Sequence, residues 1–455
     1  MHEPNTFARA SLTDWRSFLK ANPDVEAIDA FIIDVNGNTT GKRLPVGDGD
    51  KLFSDGVQFS ACAPIADARG LGQGPMGIGK ADGDPDGTAW PMAGTLQRVP
   101  WVKTPTAQVI VQMSDVRTGQ DMWFDVRAIL RDLVARARTA GMHPVVACEL
   151  EFYLIDKQRG LEGQIQLGAL PGRSAPRRAA NLSVEAVEEA AAFFSAIDAA
   201  ARIQQLPVCG TVAEYGVGQY EVNLHHVADP LLAADHAVLL RRLVKGVARS
   251  FDLDATFMAK PFVAQPGNGL HVHVSLIDEA GNNRFGAAQG ETLLQHAIGG
   301  AQALMYDSLA LFAPNFNSQR RYLGMFVPTT RDWDHNNRSV AFRVPAAQGQ
   351  ARRLEHRVAG ADASPHLTMA AILAGVLHGV QNQLDPGAPL GGKARSGRDA
   401  DFPCDLLAAL SRLEHSTLLG EYLPPEFLRL YAALKRGEYA DLVGEVFNRE
   451  YDFYA

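Results

Sequence analysis

The sequence predicts an α+β fold in two parts: a β-rich N-terminal portion, then a larger portion in which short strands alternate with long helices. Three observations carry this. ACELEFYLID (147–156) alternates with period two, placing Glu149 and Glu151 on one side and Leu150, Phe152 and Leu154 on the other. The same alternation returns in QYEVNLHH (219–226), LHVHVSLI (270–277) and RRLEHRV (352–358). Between these stretches, apolar residues recur at helical spacing over segments too long for strands.

Taken in order, a short helix is expected from about Thr13 to Lys20, followed by a strand in EAIDAFIID. Asn36-Gly37 suits a tight turn into TGKRLPV, because both residues tolerate positive φ. Residues 61–94 are crowded with Gly, Pro and Asp and read as loop. After the strand-like VIVQMSDV, a domain boundary is expected near residue 115, dividing residues 1–115 from 116–455. Asp125 then caps a helix whose apolar positions are Ile129, Leu130, Leu133 and Val134. SVEAVEEAAAFFSAIDAAARI (183–203) reads as one amphipathic helix, as do the segments around 291–311 and 362–383. The tail beyond Asp401 is mostly helical, and no internal repeat is visible.

Composition removes several function classes. The chain has 455 residues, 46% of them hydrophobic, enough for a large buried core. A formal charge of −8 gives no reason to expect affinity for nucleic acid or an anionic membrane. Cys62, Cys148, Cys209 and Cys404 lie far apart without CxxC spacing, which suggests neither a disulfide framework nor a thiolate zinc site. The start lacks the build of a signal peptide, and no run approaches a membrane span, so a cytoplasmic location is expected.

One decoy lies in the Gly-rich loop. Gly74 to Lys80 fits G-x-x-x-x-G-K, and Gly72, Gly74 and Gly77 fit G-x-G-x-x-G. A phosphate-cradling loop needs a buried strand before it and a hydroxyl residue after the lysine. Here ACAPIADAR precedes and Ala81 follows, so the stretch reads as a surface loop.

The polar faces of the four alternating segments are unusual. A strand face in water normally collects Thr, Lys, Gln and Ser. These collect Glu149 and Glu151; Glu221, Asn223 and His225; His271, His273 and Ser275; and Arg353, Glu355 and Arg357, with Glu214 seven residues before Glu221. Several carboxylates with an imidazole suit hard divalent cations such as Mg²⁺ or Mn²⁺. Anions crowded in one cavity would also raise one another's pKa unless cations lay among them. Arg338, Arg343, Arg353 and Arg357 add permanently charged planar forks for carboxylate and phosphate. Metal ions with arginine clamps are the equipment of phosphoryl transfer.

ELE in a strand, E-x6-E ending in GQYE, GNGLHVHVSL, NRSVAFRVP and RRLEHRVAGADASPHL, in this order, resemble the signature segments of the glutamine synthetase family. The resemblance runs from about residue 120 to the C-terminus and more weakly before it. EHRVAGADASPHL and DGDPDGTAWPMAGTL resemble the γ-glutamylpolyamine and γ-glutamylputrescine synthetase branch. The resemblance implies a β-grasp-like N-terminal domain and a catalytic domain with a curved antiparallel sheet and flanking helices. It implies at least two Mg²⁺ or Mn²⁺ ions per site: Glu151, Glu214 and Glu221 on the one nearer glutamate, and Glu149, His271 and Glu355 on the one nearer the ATP phosphates. It implies further that His273 and Ser275 lie along ATP with Arg343 and Arg353, that Arg338, Arg343 and Arg353 neutralise the moving phosphoryl group, and that Gly267, His271, Arg321 and Arg357 hold glutamate. The implied assembly is a homododecamer of two hexameric rings, and the implied reaction passes through γ-glutamyl phosphate, which an amine then attacks.

Two departures bear on the amine. Glutamine synthetases carry one acid in a DGSS-type segment and another in a GYEAP-type segment, where ammonium binds. The corresponding stretches here are VQFSACAP, around Ser60, and GMFVP, with Met325 and Phe326. Ammonium in an apolar pocket without a countercharge is costly to desolvate, whereas a primary amine bearing carbon gains from apolar walls. Putrescine or another polyamine is therefore the expected nucleophile, with ammonia, ethanolamine and methylamine as alternatives. Two further readings are an HxH amidohydrolase built on His271 and His273, which the surrounding glutamates disfavour, and a non-catalytic ring-forming member of the family.

Overall fold

The computed structural model describes residues 7–72, 74–324, 327–394 and 397–455. Met325 and Phe326, expected in the amine pocket, lie outside the described residues.

The first helix spans Leu12–Ala21, capped by the Ser11 hydroxyl accepting from the Asp14 N–H while the Asp14 carboxylate accepts from the Ser11 N–H. Six strands form the first sheet: β1 Ala27–Ile33, β2 Thr39–Pro45, β3 Val57–Ser60, β4 Asp86–Pro91, β5 Gln97–Val99 and β6 Thr106–Asp115. Their order is β2-β1-β6-β4-β3, with β5 also on β6, and β1 runs parallel to β6. The expected turn joins β1 to β2, and Gly37 has φ +72° there. The loop expectation for 61–94 fails at its end, because Asp86–Pro91 is β4, antiparallel to both β3 and β6. Its buried positions alternate with more exposed ones, a period the surrounding Gly and Pro conceal. The decoy motif makes only single 3-10 turns at Pro75–Gly77 and Lys80–Asp82.

The second sheet has eight strands: β7 His143–Asp156, β8 Val208–Ala213, β9 Gln219–Leu224, β10 Leu253–Thr256, β11 Leu270–Ile277, β12 Trp333–His335, β13 Phe342–Val344 and β14 Leu354–His356. Their order is β12-β13-β14-β11-β7-β9-β8, with β10 on the far end of β7, and every pairing except β12 with β13 is antiparallel. Leu150, Phe152 and Leu154 are buried, as the alternation requires.

Helices Val126–Thr139, Pro230–Ser250, Gly290–Leu304 and Pro365–Asn382 pack around this sheet. Asp125 caps the first of them, accepting from the Arg127 and Ala128 N–H groups. The helix expected over 183–203 is two, Val184–Glu189 and Ala191–Ile203. Helices Gly290–Leu304 and Pro365–Asn382 touch backbone to backbone: a Cβ on Gly300 would lie 2.0 Å from the Gly375 carbonyl oxygen and 2.3 Å from the Gly379 nitrogen. Buried apolar residues from both sheets and these helices form one continuous core. Among the described residues, no helix is long and apolar enough to cross a membrane.

Candidate active site

Antiparallel register assembles the polar face. Residues directly opposite on neighbouring strands share a face. On β7, Glu149 stands opposite His271 of β11 and opposite Asn223 of β9, and Glu151 stands opposite Glu221 of β9. His273 of β11 stands opposite Glu355 of β14, which stands opposite Arg343 of β13. Residues spread over about two hundred positions of chain thereby fall on one patch of sheet.

Two compact ligand groups result. Donor atoms of Glu149, His271 and Glu355 lie within 4.8 Å of one another, and so do those of Glu151, Glu221 and His271. The first is the set the family resemblance implies. The second differs, since His271 takes part in both and Glu214 in neither. Glu214 follows the end of β8, on the turn into β9, where its own carboxylate accepts from the Tyr215 N–H at 3.3 Å. It still faces the group electrostatically: burial and repulsion from Glu151 push its carboxyl up to about 7.

The donors fit hard divalent cations. They are carboxylate oxygens and an imidazole without thiolate. The acids also need positive charge: burial and repulsion from Glu149, Glu151 and Glu214 raise Glu221 well above the carboxylate range. Glu149 shows the converse. Burial would raise it, but hydrogen bonds with His271 Nδ1 at 3.3 Å and His273 Nε2 at 2.7 Å hold it well below its ordinary value.

Guanidinium groups ring the carboxylates. Arg343 Nη1 donates to Glu355 Oε2 at 2.7 Å, and Arg357 donates to the other oxygen of Glu355. Against a burial penalty, Arg357 first among several charges brings Glu355 down to about 2. Arg353 Nε donates to His273 Nδ1 at 3.0 Å. Arg338 is exposed, and its charge reaches Glu214. Arg321 is buried and donates to the Val358 carbonyl at 2.8 Å.

The loop before β11 closes this side of the site. A Cβ on Gly269 would lie 2.9 Å from Arg321 Nη2, 3.0 Å from His271 Nε2 and 3.5 Å from Glu151 Oε2. The Gly269 N–H donates to Glu151 Oε2 at 2.6 Å. Gly267 is equally constrained, with Ala259 O 2.4 Å and Arg321 Cγ 2.9 Å from a Cβ. Its carbonyl accepts from Gln219 Nε2, which also donates to Asn268 Oδ1. Gly269, Gln219 and Asn268 escape a reading that looks for charged ligands; the glycines flanking Asn268 in GNGLHVH are the available signal.

Beside the cluster, Ser275, Arg353, His226, Asn283 and Gln350 line a cavity of about 400 Å³. Arg353 belongs to both the cavity and the cluster, through His273. His226 was not expected here. The alternation that points to His225 stops because β9 ends at Leu224, and it is the His226 ring that lies 5.8 Å from His273. On the opposite face, His356 packs against Phe312 and Phe342, and burial takes it down to about 3. Ser60 is not drawn into this group. At the end of β3 it donates to Asp84 Oδ1 at 2.5 Å and lies 3.1 Å from Cys62 Sγ.

The model of the glutamine synthetase catalytic domain matches residues 124–454. The chain is 38% identical over 434 residues to γ-glutamylputrescine synthetase PuuA of Escherichia coli K12, spanning 93% of this chain and 90% of that one. It is 29% identical over 445 residues to the glutamate–isopropylamine ligase of a Pseudomonas species, spanning 92% of each. A solved structure of a GmaS/ADP complex superposes with a TM-score of 0.82 at 25% identity, covering 97% of this chain and 99% of that one.

Proposed function

The chain belongs to the glutamine synthetase family, and from that premise we propose that it is an ATP-dependent ligase joining the γ-carboxylate of glutamate to a primary amine of the polyamine class. The observation that carries the reading is the pair of ligand groups meeting at His271 with guanidinium groups against them. The choice of a polyamine is supported by the 38% identity to the putrescine enzyme and by the resemblance of VQFSACAP, around Ser60, to the segment in which glutamine synthetases carry an acid.

In this reading Glu149, His271 and Glu355 hold one divalent ion, and Glu151 and Glu221 with His271 hold a second, Glu214 completing the charge around it. When bound, such ions polarise phosphoryl oxygens and offset charge developing in the transition state. The chain's own groups do the rest. Gly267 leaves space at the Arg321 stem, and Arg321 and Arg357 offer cationic donors to glutamate. Ser275 and Arg353, on the wall of the 400 Å³ cavity, hold ATP together with His273. Arg338, Arg343 and Arg353 stabilise the phosphoryl group as it passes from ATP to the γ-carboxylate oxygen, releasing ADP. The acyl phosphate is then attacked by the amine nitrogen, which loses a proton while phosphate leaves. Activation is required because an unmodified carboxylate is a poor electrophile with a poor leaving group. The division at residues 115/116 and the dodecameric assembly belong to the same proposal.

The test is ATP hydrolysis by the full chain with Mg²⁺, glutamate and a panel of amines: putrescine, longer polyamines, ethanolamine, methylamine, isopropylamine and ammonia. The expected result is turnover with putrescine or a longer polyamine at least tenfold above ammonia, dependent on both glutamate and amine. Comparable turnover with ammonia would overturn the amine assignment, and no turnover with any amine would favour the non-catalytic reading.

A further inference from the structure

A second polar cavity, of about 230 Å³, has in its lining Asn36 and Asn38 of the β1–β2 turn, Arg241 and Lys245 of the helix Pro230–Ser250, Thr256 at the end of β10, and one carboxylate, Asp362. Its two cations lie four residues apart on one helix, where like charges repel. Arg241 is 7% exposed, and among the described residues its guanidinium makes one hydrogen bond, from Nη1 to the Ala363 carbonyl at 3.0 Å. Lys245 makes no hydrogen bond or ion pair among them; its Nζ lies 5.9 Å from the Phe257 ring, and Arg241 Cζ lies 5.8 Å from the same ring.

The neighbouring carboxylates are partly engaged by other groups, and none bonds to Lys245 among the described residues. Asp34 accepts from the backbone N–H groups of Asn36 and Asn38. Asp362 accepts from Asn315 Nδ2 and Ser318 Oγ through Oδ2 alone, and its charge is the first that offsets the burial of Arg241. Lys435, behind Asn36, is tied to Glu438. Burial, then Arg241, then Arg249 push the Lys245 ammonium down to about 8, against a smaller pull from Asp254. The cavity therefore holds two desolvated cations and one carboxylate, and Lys245 has no hydrogen-bond acceptor among the described residues.

We propose that this cavity binds a small oxyanion, a phosphate or a carboxylate, between Arg241 and Lys245. A guanidinium fork and an ammonium are donors suited to such an ion. The volume decides against a nucleotide, since it falls below the roughly 300–1,000 Å³ of pockets that enclose drug-sized ligands. The wall is shared with the reaction site. Asn268 Nδ2 donates to the carbonyls of Thr256 at 3.3 Å and Met258 at 2.9 Å, while Asn268 Oδ1 accepts from Gln219 Nε2, which lies 3.4 Å from Glu151 Oε2. A bound ion would thus sit two hydrogen-bonded side chains from Glu151.

The test is calorimetric titration of the full chain with inorganic phosphate in one arm and acetate in the other, with saturating ADP, glutamate and Mg²⁺ filling the reaction site. Binding of at least one ion is expected, weakened tenfold or more by Lys245→Gln and restored to within threefold by Lys245→Arg. The tighter arm identifies the source of the oxyanion. Ligase turnover at low phosphate should be unchanged in both variants, which separates loss of this site from unfolding and from any failure of the ligase reading. Absence of binding in both arms, or equal affinity in wild type and Lys245→Gln, would overturn the proposal.

Discussion

At the scale of single residues, the site depends as much on an absent side chain as on its charged ones. Gly269 has no Cβ, so Arg321, His271 and Glu151 can converge on its backbone. Gly269→Ala would push at least one of them aside. Displacing a reacting group by about 1 Å costs roughly a hundredfold in rate, so kcat/KM should fall by at least that much while far-UV circular dichroism stays unchanged. Glu221→Gln tests the second ligand group. It removes one anion from a set whose members raise one another's pKa, and should weaken Mn²⁺ binding, followed by electron paramagnetic resonance, by at least about tenfold, no less than loss of an outer-shell partner. An unchanged Mn²⁺ affinity would remove Glu221 from the ligand set.

At the scale of elements, strands deliver the chemistry and helices hold them in place. The alternation in β7 and β11 was legible because side-chain direction in a strand follows from residue parity alone. The break at Ala190 between two helices and the early end of β9 were not, since local composition continues across both positions. Helix contacts belong to the same hidden category. Gly300→Ala would force the helices Gly290–Leu304 and Pro365–Asn382 apart and should cost about 1–3 kcal/mol by urea denaturation. Three helices also share a buried charge: Asp235 accepts from Arg127 Nη2 at 2.8 Å and meets His366 Nε2 at 2.9 Å, while Arg127 Nη1 reaches Gln112 on β6. Asp235→Asn should cost about 3–5 kcal/mol, because it removes the carboxylate from a buried ion pair with Arg127. Its pH dependence has a definite sign. Against its burial, Arg127 first and then His366 bring Asp235 down to about 2 in the folded chain, from about 3.9 unfolded. The stabilisation is complete above the unfolded value and is lost as pH falls through the folded one. Urea midpoints should therefore show a constant wild-type advantage over Asp235→Asn from pH 7 to about 4, shrinking below that.

At the scale of the whole molecule, the two parts are joined by polar links, one of them fully buried, as well as by one apolar core. Arg242 Nη2 donates to Asp29 Oδ2 at 2.8 Å, and Lys435 Nζ donates to Asn36 Oδ1 at 2.5 Å, each tying a helix of the larger part to the first sheet. The first sheet thus has a fixed place relative to the carboxylate face. Ser60 nevertheless bonds to Asp84 and Cys62 and to none of the second-sheet residues among those described. If Ser60 belongs to the amine pocket, it reaches that pocket from a neighbouring subunit. Size-exclusion chromatography with light scattering should then return a large ring, and a stable, fully active monomer would refute the shared site.

The sequence by itself determined which side chains face together along each strand, where the helix capped by Asp125 begins, and the family to which the chain belongs, because parity, capping and motif order are local properties. It could not set the lateral register between strands distant in the chain. That register, decided by how the core packs, makes His271 common to two ligand groups, leaves Glu214 on the turn beside them, and substitutes His226 for His225 near His273. The cavity between Arg241 and Lys245 is likewise a tertiary product, since nothing in a helix reveals which of its cations will be buried in a cavity without a hydrogen-bond acceptor.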